Sequence, residues 1–203
     1  LMMTERFPET ADTKNQATDR DILLRKAKEF HGEICGGIVL GTRMTMIGMR
    51  ELGMNPLEKN RNLIVYVEID RCIADAIQAI TGCSLGHRTL KYKPYGKFAA
   101  TYVDLKTGSA VRVTVVEKKR TEKTGKEAMK DAAKILLDTP EPDLFRIRRV
   151  NLKIPDGDMP GMPKNRARCS SCNEMIVDDK EIIRDGAILC GNCAGVPYYT
   201  EKE

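Results

Sequence analysis

Apolar residues recur at helical spacing in two segments near the start of the chain. The first runs from Ile22 to Phe30, and the second, richer in apolar residues, covers residues 38–52. Gly41 and Gly48 lie inside the second segment, where a glycine weakens a helix unless another element packs closely against it. The pattern therefore predicts two helices, the second in close contact with a neighbour.

Runs of β-branched residues predict strands further along the chain. Residues 63–69 (LIVYVEI) form one such run, and a short helix is predicted after it over residues 71–80. Residues 98–105 and 110–117 flank a Lys-Thr-Gly-Ser segment, whose glycine suits a hairpin turn. These segments predict a sheet with antiparallel pairing.

One more helix and one more strand complete the larger part of the chain. Thr124 and Glu127 match a capping box and predict a helix that begins there, and residues 144–152 predict a further strand. The elements together predict an α+β core domain over residues 18–150, with a mixed or antiparallel sheet flanked by helices. Residues 1–17 are polar and aperiodic, which favours a flexible N-terminal segment.

A change of composition follows the core domain. Residues 151–168 contain three prolines and two glycines and lack hydrophobic periodicity, which is typical of a linker. Residues 145–168 carry seven basic and two acidic side chains, and so account for the whole formal net charge of +5. This basic stretch could contact nucleic acid or an acidic partner, whereas a solvated linker is the simpler alternative.

The overall composition favours a soluble globular protein of the cytoplasm. Hydrophobic residues make up 41% and charged residues 31% of the 203 residues. The longest apolar run is far shorter than the roughly 20 residues that cross a bilayer, so we expect no membrane association. Seven cysteines, four of them in two Cys-x-x-Cys pairs, suit metal or thiol chemistry in a reducing compartment better than a disulfide framework.

The two Cys-x-x-Cys pairs predict a structural zinc site in a small C-terminal domain over residues 169–203. Seventeen residues separate the pairs, which is a spacing of four-thiolate zinc sites. Iron in a rubredoxin-like site and a pair of disulfides are the alternatives. Four thiolates leave the ion no open position, so we expect a treble-clef or zinc-ribbon-like finger without catalysis. The predicted ligands are Cys169, Cys172, Cys190 and Cys193.

The other three cysteines and one histidine form a second candidate site. His31 precedes Cys35 by four residues, which places both donors on one face if that turn is helical, and Cys72 and Cys83 bracket a short predicted helix. Histidine and thiolates could bind a second metal ion or form a redox centre, and a helix N-terminus at Cys72 would lower its thiol pKa. In the alternative interpretation the thiols are buried apolar groups and His31 is a hydrogen-bonded core side chain.

Four short motifs resemble those of one protein family. They are FHGEICGG at residues 30–37, CIADAIQ at 72–78, TGCSLG at 81–86 and YGK at 95–97. Over about residues 20–150 the chain is similar to the FmdE family, which is named after one subunit of formylmethanofuran dehydrogenase and some of whose members carry a C-terminal four-cysteine finger. Glu33 stands where the family has a second histidine, and Gly36 where it has a proline.

The resemblance implies an α+β core, an intertwined homodimer and a metal or active site in the core domain. Glu33 could add an oxygen donor to that site. The residues that match the family's site are His31, Cys35, Cys72 and Cys83, and Asp75 and Lys97 are expected to line the same cleft.

The namesake enzyme of the family reduces carbon dioxide onto methanofuran at a molybdenum or tungsten pterin centre that other subunits hold. The FmdE polypeptide is not the catalytic chain, and this sequence shows no hydrolase triad or nucleotide-binding motif, so family membership assigns no catalysis. The resemblance therefore implies a metal-binding accessory or redox-related protein, connected with methanogenesis and with molybdopterin-enzyme subunits as possible partners. An adaptor whose finger and basic stretch bind nucleic acid or a protein is the second hypothesis, and a structural interaction protein without chemistry is the third.

Overall fold

The computed structural model describes residues 17–116, 125–195, 197–200 and 202. The helices are α1 (Asp19–His31), α2 (Gly36–Glu51), α3 (Cys72–Thr81), α4 (Lys126–Asp138), α5 (Glu141–Leu144) and α6 (Gly191–Ala194). The strands are β1 (Leu63–Val67), β2 (Leu90–Tyr92), β3 (Ala99–Asp104), β4 (Ala110–Val115), β5 (Phe145–Val150), β6 (Arg166–Arg168), β7 (Met175–Val177), β8 (Ile182–Arg184) and β9 (Ala187–Leu189).

A five-stranded mixed sheet forms the centre of the core domain. Its strand order is β2-β1-β3-β4-β5, in which β1 and β2 run parallel and the other neighbours are antiparallel. The predicted hairpin is confirmed: β3 pairs with β4, and Gly108 in the turn has a φ of +74°. The α+β class with a mixed sheet and flanking helices is therefore confirmed, whereas the three-residue strand β2 was not predicted.

The two faces of the sheet have different covers. On one face, Val65 and Tyr102 pack into the main hydrophobic core together with Met44 and Ile47 of α2. We call this the helix face. On the opposite face, which we call the outer face, Tyr66 belongs to a smaller apolar cluster covered in part by Leu152 and Ile154. The alternation follows from the pleat of a strand, which points successive side chains to opposite sides.

Side chains near the helix ends satisfy backbone groups that the helices leave unpaired. Thr18 forms a capping box with Asp21 at the start of α1, because each side chain accepts a hydrogen bond from the other residue's backbone N–H. The guanidinium groups of Arg20 and Arg43 donate to backbone carbonyls at the end of α4. Helix α4 itself begins without a side-chain cap, and the predicted cap residue Thr124 lies outside the described residues.

The C-terminal finger consists of two short hairpins followed by α6. Strand β6 pairs with β7, and β8 pairs with β9 through a turn at Asp185 and Gly186, both at positive φ. The predicted small finger after the core domain is confirmed. Its first strand, β6, lies within residues 151–168, which the sequence predicted to be linker.

Arg88 fastens the finger and the connecting segment to the core domain. Its Nη1 donates to Asp178 Oδ2 at 2.6 Å and its Nε to the carbonyl of Met159 at 3.1 Å, while Nη2 donates to the carbonyl of Gly157. Gly157 lies against the backbone of Asp178 with no room for a Cβ atom. The connecting segment therefore packs between core and finger, and within the part of the chain that the structure covers no helix is long and apolar enough to cross a bilayer.

We predict that Gly48→Ala destabilises the core. An added Cβ would overlap the ring of Tyr102, which is fully buried and whose hydroxyl lies 3.1 Å from Thr45 Oγ1. Overpacking of this kind costs about 1–3 kcal/mol, which urea unfolding would measure as a lower midpoint. Gly86→Ala is the control, because an added Cβ there meets no atom within 4 Å, and equal midpoints for the two variants would contradict the packing described here.

Candidate metal centres

Three helix ends meet at the first candidate centre. His31 is the last residue of α1, Cys35 is the N-cap of α2, and Cys72 is the first residue of α3. Gly32 ends α1 with a φ of +103°, which a residue with a side chain rarely adopts, and so allows the chain to turn directly from His31 toward Cys35. Residues that are far apart in the sequence thus lie together at the surface of one helical layer.

The donor atoms of this site are close enough to share one ion. One ligand atom from each of His31, Cys35 and Cys72 lies within 4.8 Å of the others, and the distance from His31 Nε2 to Cys35 Sγ is 4.0 Å. Two cysteines and one histidine form a donor set that zinc accepts in proteins. The three-residue cluster can therefore hold a transition metal ion.

Asp75 orients the histidine of the cluster. Its Oδ2 lies 2.7 Å from His31 Nδ1, so a proton on Nδ1 is donated to the carboxylate and the lone pair is left on Nε2. Metal-binding histidines in proteins commonly have such a carboxylate on the second nitrogen. Asp75, which the sequence predicted in the same cleft, therefore contacts the site through the histidine.

Gly37 leaves room for the thiol of Cys72. A Cβ atom on Gly37 would lie 2.8 Å from Cys72 Cβ and 3.4 Å from its Sγ, which is closer than such atoms approach in proteins. The sequence analysis did not identify this role. Only the glycine pair in the motif at residues 36–37 could have indicated it.

Burial changes the pKa of the cluster. Cys35 is 3% exposed, and the Cys72 pKa is raised by burial and by the neighbouring Cys35 thiol. The expectation that a helix N-terminus lowers the pKa of Cys72 is therefore wrong, because loss of solvation outweighs the helix dipole here. A metal ion that replaced the protons would remove the cost of two buried neighbouring thiolates.

The structure places the remaining predicted site residues elsewhere. Cys83 does not join the cluster: it is buried, and its thiol lies 3.5 Å from the carbonyl oxygen of Leu63. Glu33 is exposed and outside the donor group, and Lys97 is an exposed loop residue whose backbone N–H donates to Glu68. The four-residue core site implied by the resemblance is thus corrected to three donors, and a cleft role of Lys97 stays a prediction.

The second candidate centre is the four-cysteine cluster of the finger. Cys169 and Cys172 lie in the turn between β6 and β7, while Cys190 is the N-cap of α6 and Cys193 lies inside it. One sulfur from each lies within 4.8 Å of the others, and Cys172 Sγ is 3.9 Å from Cys190 Sγ. These four cysteines can hold a metal ion, as the sequence predicted.

Backbone amides prepare the finger cluster for a cation. Hydrogen bonds from the backbone of Cys172 and Cys190 lower the pKa of Cys169 to about 6, and the Cys193 N–H donates to Cys190 Sγ at 3.4 Å. Donors aimed at sulfur stabilise a thiolate, which is the form that binds metal.

A mixed sheet with a His/Cys cluster at the ends of its covering helices, followed by a four-cysteine finger, defines a two-part protein with donor sets for metal ions. The family model described as "FmdE, Molybdenum formylmethanofuran dehydrogenase operon" matches residues 30–146. The chain belongs to the FmdE family.

Two known proteins extend this assignment. A protein of Archaeoglobus fulgidus named "Probable S-adenosyl-L-methionine-binding protein" is 33% identical over 199 residues, which cover 87% of this chain and 53% of that protein. The chain thus spans about half the length of this relative. The crystal structure of an FmdE-like protein of tungsten formylmethanofuran dehydrogenase from Syntrophus aciditrophicus has a TM-score of 0.57 at 24% identity, covering 89% of this chain and 95% of that one. This likeness shows the fold.

We predict that Asp75→Ala weakens metal binding at the core cluster roughly 10- to 100-fold, because His31 loses the partner that orients its ring. Competition titration with a chromophoric chelator measures this affinity. Asp131→Ala, which removes an exposed carboxylate on α4, is the control and should bind as the wild type does. Unchanged affinity in Asp75→Ala would show that the carboxylate does not orient a metal ligand.

Proposed function

We propose that this chain is a metal-binding accessory protein that holds one zinc ion in its core at His31, Cys35 and Cys72. A second zinc ion is held by the four cysteines of the finger and stabilises that small domain. The observation that carries the proposal is the pairing of His31 Nδ1 with Asp75, which directs Nε2 of the same ring toward the two thiols. A histidine that only packed in a core would not need both nitrogens aimed in this way.

The donor count supports different roles for the two ions. Four thiolates fill the tetrahedral positions of zinc in the finger, whereas three donors in the core leave one position for water, a small molecule or a donor from a partner. The side chains of His31 and Asp75 are 21% and 37% exposed, so that this position is reachable from solvent. Zinc bound there would supply an electrophile with one exchangeable ligand.

The residues around the ion would maintain this state. Asp75 keeps the Nδ1 proton of His31 in place, Gly37 keeps space open beside Cys72, and the buried thiolate of Cys35 excludes water from one side. These features support a site built to hold a metal ion and exchange its remaining ligand. Such a site suits an accessory protein that binds a ligand or passes on a metal.

A thiol redox function is the competing interpretation of the same cluster, since the sulfur atoms of Cys35 and Cys72 also lie within 4.8 Å of each other. The two functions differ in what the purified protein contains. A metal ion bound by His31 requires both thiols to be reduced, whereas a redox pair can form a disulfide without any metal.

We predict two zinc ions per wild-type chain and one in the Cys35→Ser, Cys72→Ser and His31→Ala variants, measured by mass spectrometry of metals on protein purified under reducing conditions. The expected loss is one ion because each variant removes one of only three donors.

Cys83→Ala is the matched control for this metal count. It removes a buried core cysteine that is not in the cluster, and it should keep both ions even if its stability falls. One ion per chain in the wild type and in every core variant would refute the core centre, and a Cys35–Cys72 disulfide in that protein would favour the redox function.

Binding of S-adenosylmethionine is a second candidate, supported by the 33% identity to the Archaeoglobus fulgidus relative of that name. If the matched half of the relative carries its ligand site, this chain should bind S-adenosylmethionine with heat detectable by isothermal titration calorimetry. Absence of binding at millimolar ligand would assign that property to the part of the relative that this chain does not match.

A further inference from the structure

A pocket of about 260 Å³ lies on the outer face of the sheet, near the edge formed by β4 and β5. The metal cluster, in contrast, is formed by the helices. The pocket is lined by Arg112, Thr114, Val115, Val116, Arg146 and Arg148. Three of its six lining residues are arginines, which is a dense positive charge for so small a volume.

One of the arginines is held rigidly. Arg112 Nε and Nη2 donate to the two carboxylate oxygens of Glu68 at 2.7 and 2.8 Å, and its Nη1 donates to Thr114 Oγ1 at 2.7 Å. Glu68 is 6% exposed, so this two-point ion pair is shielded from solvent. Thr114 accepts a hydrogen bond from Arg112, which leaves its hydroxyl proton available to a ligand.

The other two arginines lack such compensation. Among the residues that the structure describes, Arg146 and Arg148 have no ion-pair partner. Arg148 lies directly opposite Arg112 in the antiparallel pair, and Arg146 lies opposite Thr114. Like charges opposite each other destabilise a sheet unless an anion lies between them.

We propose that this pocket binds a small anion that carries phosphate or carboxylate groups. Arg146 and Arg148 would donate to its oxygens, together with the hydroxyl of Thr114, while Arg112 adds a fixed positive charge. Guanidinium groups match both kinds of oxyanion through paired N–H donors. The volume is below the roughly 300–1,000 Å³ of pockets for larger ligands, which favours an anion the size of phosphate or a short dicarboxylate.

The placement of the neighbouring charges argues for a compact ligand over a nucleic acid. Arg149, between the two pocket arginines and the end of β5, points to the helix face, where its Nη2 donates to the carbonyl of Glu51 at 3.3 Å. The basic stretch of the sequence is therefore divided between two faces of the sheet. A polymer of phosphates needs a continuous basic surface, whereas a small anion needs only the pocket.

Titration calorimetry with inorganic phosphate and with succinate, each at fixed ionic strength in chloride, tests the proposal. The wild type should bind at least one of them, and the Arg146→Gln/Arg148→Gln variant should bind it at least tenfold more weakly. Arg149→Gln removes one charge from the same strand on the other face and should bind as the wild type does. The preferred anion tells phosphate from carboxylate ligands.

Three results would overturn the proposal. Neither anion binds the wild type; the double variant binds as well as the wild type does; or the Arg149→Gln variant loses as much affinity as the double variant, which would mean that only net charge matters. Binding of a single-stranded oligonucleotide without binding of either small anion would assign the pocket to a nucleic acid. Both pocket arginines are exposed, and circular dichroism of each single variant confirms that the fold is intact.

Discussion

Helices α2 and α3 lie so close together that two positions on α2 have no room for a side chain. A Cβ atom on Gly41 would lie 2.7 Å from Ala76 Cβ and 2.9 Å from Ile73 Cα, and one on Gly37 would meet Cys72. This contact fixes the start of α2 beside the start of α3, so that Cys35 and Cys72 become neighbours. The end of α1 packs on the same pair and adds His31. The core cluster therefore depends on glycine as much as on its own donors.

The electrostatics of the cluster make a bound cation favourable. Two buried thiols cannot both ionise cheaply, and the raised pKa of Cys72 reflects burial and its neighbour Cys35. A divalent ion reverses this balance, because it compensates both thiolates and takes the free nitrogen of a histidine already oriented by Asp75. In the finger, backbone amides lower the pKa of Cys169, so that cluster is stabilised as thiolate by the chain itself.

Local patterns predicted what is local, and contacts between distant segments were the harder part. The strand at residues 63–69, the hairpin of β3 and β4 and the Cys-x-x-Cys pairs follow from spacing and turn residues, and the structure has each of them. Strand β2 was missed because three residues carry too little periodicity. Cys83 was grouped with the site because it ends the same helix as Cys72, yet a helix of ten residues separates its two ends by about 15 Å. The Arg88 contacts with residues about 70 to 90 positions away leave no signal in a single sequence.

The most direct test of the account is an anomalous-difference map, recorded at the zinc absorption edge from crystals of reduced protein. The account predicts two peaks per chain. One lies among the four finger cysteines, and the other lies about 2.0–2.3 Å from His31 Nε2, Cys35 Sγ and Cys72 Sγ, with a non-protein ligand at its fourth position. A peak in the finger alone, with His31 still paired to Asp75 and the two core thiols free or joined, would contradict it.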